Sequence, residues 1–98
     1  MIEQQTIFLE VVFQSMDFNF ESRDEIEDPL EEALQNAGLG EVTGAGSGAG
    51  IINIDIEVND FENGLGLIRH VLRVLGVAAS TVINQYHPNK VVHSVYDE

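Results

Sequence analysis

Residues 51–58 read IINIDIEV, an unbroken alternation with Ile52, Ile54, Ile56 and Val58 on one side and Asn53, Asp55 and Glu57 on the other. A repeat of two marks an extended strand, because successive side chains leave opposite faces of the pleat. One apolar face and one ionic face demand a sheet packed on one side and wetted on the other, as antiparallel sheets are. The segment Thr6 to Gln14, TIFLEVVFQ, repeats the pattern. Ile7, Leu9, Val11 and Phe13 share one face, and Phe8, Glu10, Val12 and Gln14 the other. Two apolar strand faces need a cover, and the intervening segments have to supply it.

Two stretches fit that task. Asp28 suits a helix N-cap, Pro29 the first helical position, and Glu31 stands three residues after the cap. Leu30, Ala33, Leu34 and Ala37 then form an apolar stripe, and Gly38 suits the left-handed turn that ends a helix. A second helix is expected from a cap at Asn59 or Asp60 to about Leu75, closed by Gly76. Phe61, Leu65, Ile68, Val71, Leu72 and Leu75 fall within one arc of it at 100° per residue. Arg69 and Arg73 lie one turn apart beside that arc.

Ser80 to Tyr86 reads as a further strand, His87-Pro88-Asn89 as a turn, and Val91 to Tyr96 as a short last strand. Between the first helix and the central strand lies GEVTGAGSGAG, a glycine-rich strand or loop with a hairpin turn expected near Ser47-Gly48. The order is therefore strand, helix, strand, strand, helix, strand, plus one strand. That is the split βαβ or ferredoxin-like α+β sandwich: two helices on one face of an antiparallel sheet, with an extra C-terminal strand. At 98 residues the chain is expected to be one domain, 1–98, with strands one and three adjacent at the sheet centre.

Charge narrows the function. Seventeen acidic residues face four basic ones, a formal net charge of −13. Such a surface repels phosphate backbones and anionic lipids, so neither nucleic acid nor membrane is an expected partner. No apolar run reaches the roughly 18 residues of a membrane span, and Met1–Gln5 shows no basic leader. With cysteine absent, thiolate metal sites and disulfides are excluded. A cytoplasmic location follows as the expectation.

Three constellations are candidates for binding. The acidic run comprises Glu21, Asp24, Glu25, Glu27, Asp28, Glu31 and Glu32, interrupted by Arg23. It lacks calcium-loop spacing and reads as either a solvated face or a surface that steers a basic protein. If the first and third strands pair, Glu10, Gln14, Asn53, Asp55 and Glu57 share the open sheet face, where like charges repel unless a cation intervenes. Gly44, Gly46, Gly48 and Gly50 leave one strand face bare, open to a ligand, a partner strand or a helix. The forced dinucleotide fingerprint Gly44, Gly46, Ala49 stands before a strand and not a helix, so nucleotide binding is not expected. His70, His87 and His93 make no tight metal pair, although His87, His93 and Asp97 could approach one another; no metal or other cofactor is expected. No nucleophile–base pair stands out, so no catalytic residue is assigned.

In size, acidity and element order the chain resembles small single-domain bacterial proteins with a ferredoxin-like fold, some of them immunity proteins of toxin–immunity systems. The resemblance implies a non-catalytic protein that inhibits a basic partner by occlusion through acidic surface. The ACT-type amino-acid-sensing domain shares the element order, but Ser15 to Phe20 lacks the glycine that type often carries there. The second reading is a small-molecule or metal-binding regulatory module, dimeric through the glycine strand, whose edge lacks protecting lysine or proline.

Overall fold

The computed structural model describes residues 6–96. Met1–Gln5, read above for a leader, and Asp97, grouped above with the histidines, lie outside the described residues. The elements are β1 (Ile7–Gln14), a short 3₁₀ turn (Ser15–Asp17), α1 (Asp24–Ala37), β2 (Gly40–Gly48), β3 (Ile51–Val58), α2 (Phe61–Leu75), β4 (Val82–Gln85) and β5 (Val91–Ser94). The five strands form one antiparallel sheet in the order β2-β3-β1-β4-β5. β1 and β3 lie at its centre in full register, from Ile7 opposite Val58 to Gln14 opposite Ile51.

The period-two pattern decides which face is covered. Leu9, Val11 and Phe13 of β1, Ile54, Ile56 and Val58 of β3 and Ile83 of β4 are buried in one cluster with Ile26, Leu30 and Leu34 of α1 and Leu65, Ile68 and Leu72 of α2. Both helices thus cover the apolar face, a two-layer α+β arrangement driven by removing these side chains from water. Among the described residues no helix is long and apolar enough to cross a membrane.

α2 begins and ends where the sequence places it. The Asp60 side chain accepts the Asn63 N–H at 3.0 Å, and Gly76 at φ 77° closes the helix. α1 starts one turn earlier than Asp28. The Glu25 carboxylate accepts the N–H groups of Glu21 and Ser22, at 2.8 and 3.3 Å, which ties the preceding loop to the helix. Arg23 pairs with Glu27 at 2.9 Å across the first turn. Pro29 consequently sits inside the helix and removes one bond, to the carbonyl of exposed Glu25, where water can substitute.

The glycine run is an edge strand, not a loop. Its turn is Ala49-Gly50, two residues beyond Ser47-Gly48, and both have positive φ, 54° and 83°, as a tight hairpin turn requires. Gly50 therefore belongs to the turn and leaves the strand set. A bulge between Val42 and Gly44 interrupts the pairing with β3. β4 is shorter than Ser80 to Tyr86, and it is followed at the other edge of the same sheet by β5.

β5 is held by the second helix. Arg69 Nε donates to the Ser94 carbonyl at 2.8 Å and Arg73 Nε to the Val95 carbonyl at 2.7 Å. Tyr96 donates its hydroxyl proton to the Val77 carbonyl. His93 packs on Phe61 and shares a 3.1 Å hydrogen bond with Gln85. Burial, and then the Arg69 charge, lower its pKa from the ordinary value. The unfolded chain therefore takes up this proton first, at about pH 6.5. Stability owed to neutral His93 is complete above that pH and is lost as pH falls below it through the folded value. In urea titrations, His93→Gln is expected to lose less stability than the native chain between pH 7 and pH 5. Equal losses would remove His93 as the cause.

Candidate functional site

The sheet face away from the helices is open, and its register sets side chains in transverse rows. One row runs Gly44, Asp55, Glu10, Asn84, Val92 across all five strands. The next places Glu41 opposite Glu57, and Glu57 opposite Phe8. A third runs Gly46, Asn53, Val12, Val82, Ser94. Gln14 lies at the far end of the face, opposite Ile51 and exposed. The sheet thus brings the expected open-face residues Glu10, Gln14, Asn53, Asp55 and Glu57 together, with Glu10 and Asp55 directly opposed.

Two like charges side by side on neighbouring strands oppose pairing. Neutral partners soften this in part. Asn53 Nδ2 donates to Asp55 Oδ1 at 3.0 Å, and the Tyr86 hydroxyl donates to Glu10 Oε1. The Glu10 bond foremost, with burial, raises the Tyr86 pKa above its ordinary value. Phe8 stacks on the Tyr86 ring at 6.0 Å. None of the four basic residues reaches the carboxylates: Arg23 is paired with Glu27, Arg69 and Arg73 hold the main chain at the end of β5, and Lys90 lies over the Tyr86 ring at 5.7 Å. Among the described residues the row has no internal counter-cation.

Asn84 adds a second oddity to the same row. It is 9% exposed, and its Oδ1 is buried without a hydrogen-bond partner, while its Nδ2 makes only a 3.5 Å contact to Tyr86. A buried polar atom left unpaired costs about 1–3 kcal/mol. Neither Asn84 nor Tyr86 stood out as a member of this group in the sequence. Their signal was the strand that carries them, and its register against β1 is not written locally.

The acidic run divides. Glu25 is occupied by main-chain N–H groups and Glu27 by Arg23, while Glu31 binds the Val42 N–H at 2.9 Å and Gln35 at 3.0 Å. Glu21, Asp24, Asp28 and Glu32 are exposed. Gly44, Gly46 and Gly48 of β2 all face the open side, where Asp55 and Asn53 lean over the first two. A Cβ placed on Gly44 would stand 3.2 Å from Asp55 Oδ2, and one on Gly46 would stand 3.2 Å from Asn53 Oδ1.

Chemically, the face offers carboxylate and amide oxygens over a flat floor with bare glycine backbone at one side. It is suited to ammonium or guanidinium groups. Among the described residues no group of three or more His, Asp or Glu side chains converges as a metal site would require. Comparisons of the chain with protein-family models, curated proteins and solved structures return no match.

Proposed function

We propose that this chain is a small acidic binding protein that docks on a basic protein partner and occludes it, in the manner of an immunity or inhibitor protein. The observation that carries the reading is the directly opposed pair Glu10 and Asp55, which meets no counter-cation among the described residues. A partner's lysine or arginine would relieve that repulsion on binding, and the charge of −13 would steer the encounter. The frame proposed is the ferredoxin-like sandwich extended by β5. The order β2-β3-β1-β4 and the helices after β1 and β3 support it. A cytoplasmic setting belongs to the same proposal.

The test is capture from lysate of the source cells on the immobilised protein at low salt, followed by titration of what is recovered. One basic protein in stoichiometric amount is expected, its affinity falling steeply as the screening length shrinks from about 30 to about 8 Å. Binding that ignores salt over this range would overturn the reading, as would recovery of non-specific basic background alone.

A further inference from the structure

Resting on that reading, we propose that the partner contributes an extended basic segment that adds to the sheet as a sixth strand along Gly44–Gly48 of β2. An edge strand presents unpaired N–H and C=O groups that template another strand. Among the described residues this edge is closed only at its beginning, where Glu31 takes the Val42 N–H and the bulge follows. Among the described residues the main chain from Gly44 to Gly48 has no backbone partner beyond the β3 ladder, and Ala45 and Ser47 are exposed.

Charge selects the occupant. On the open side, side chains of an added strand would project across bare glycines toward Asp55 and Asn53. Facing Cβ positions on paired strands are about 4.5–5.5 Å apart, and the Asp55 carboxylate already stands 3.2 Å from the Cβ position of Gly44. A lysine or arginine stem spans the remainder with its apolar carbons on the glycine floor. On the helix side, α1 runs alongside β2. Glu31 meets it at Val42, and Glu21 and Asp24 share a shallow cleft with Ser47 and with Arg23, whose charge is taken up by Glu27. Glu27 and Asp28 fall between these two points at helical spacing. Asp55 on one side and exposed Glu21, Asp24 and Asp28 on the other therefore leave an excess of acid along the edge, and the acidic run and the glycine strand form one surface. A second copy of this chain, itself at −13, is repelled where a basic strand is attracted.

A heptapeptide of alternating lysine and valine is the probe, tested against the full chain at low salt by calorimetry and amide NMR. Two further peptides carry the same charges but are N-methylated at odd or at even positions. Successive N–H groups of a strand point to opposite edges and only one edge of the added strand faces β2, so one N-methylated set is expected to lose at least tenfold in affinity and the other little. The unmodified peptide is expected to shift the Ala45 and Ser47 amides and slow their exchange. Gly46→Val, which covers the floor, is expected to weaken it. Equal binding of all three peptides would overturn strand addition while leaving salt-dependent docking of the captured partner intact. No binding of the peptide while that partner still binds would do the same. A dimer in sedimentation that Ser47→Pro dissociates would assign the edge to a second copy and also overturn it.

Discussion

Gly40→Ala is expected to cost at least about 3 kcal/mol, the upper end of ordinary overpacking, and so to consume much of the roughly 5–15 kcal/mol available to a domain of this size. A methyl on Gly40 would fall 2.1 Å from the Glu57 carbonyl oxygen and 3.0 Å from the Val58 Cα. Both are main-chain atoms, so no rotamer change makes room. Nor can the local chain retreat easily. The Asn59 N–H is bound to the Leu39 carbonyl and the Asn59 side chain to the Gly38 carbonyl, each at 2.9 Å, and the Leu39 N–H is bound to Leu34 at 3.0 Å. The measurement is a urea midpoint with the slope checked for two-state behaviour. Gly66→Ala is the control: it lies on the exposed side of α2 with open space around it, and alanine there is expected to add about 0.5–1 kcal/mol. A midpoint for Gly40→Ala within error of native would show that β2 and β3 separate more freely at this end than the geometry allows.

Asp55→Lys is expected to move stability and binding in opposite directions. The new ammonium would stand directly opposite Glu10 and turn a like-charged cross-strand pair into an opposite-charged one, a gain of about 0.2–1 kcal/mol. The cation that the partner is proposed to bring would then already be present, and an extra positive charge would meet it. Affinity for the captured partner is expected to fall about 100-fold, equivalent to about 2.7 kcal/mol. Unchanged affinity would remove this row from the interface. A loss of stability would show that the Glu10–Asp55 opposition is already relieved within the native sheet.

The parts of this architecture legible in the sequence are those set by local periodicity. Alternation over Ile7–Phe13 and Ile52–Val58 determines which face of the sheet the helices cover. Once those strands pair, Glu10 and Asp55 have to share the wet face. Asp60 and Gly76 mark α2 because a cap and a left-handed terminus each need a particular residue type. The start of α1 was obscured by a genuine conflict. Pro29 favours a first turn at its own position, but the Glu25 carboxylate gathers the Glu21 and Ser22 N–H groups and starts the helix earlier. The hairpin turn was obscured because alanine at 49 adopts positive φ without any signal in its identity. The merging of the acidic run with the glycine edge rests on α1 packing beside β2, and the inclusion of Asn84 rests on the register of β4. Both are tertiary facts with no local trace.

The grip of Arg69 and Arg73 falls on main-chain carbonyls, not on side chains of the strand they secure. Every residue offers the same carbonyl, so this attachment is blind to what β5 is made of. Exposed Val91 and Val92 are therefore free to drift without loosening the sheet edge, whereas the two arginines are not. A mutational scan should find the tolerance of the C-terminal strand dictated from α2. In that sense the address of β5 is stored some twenty residues upstream of it.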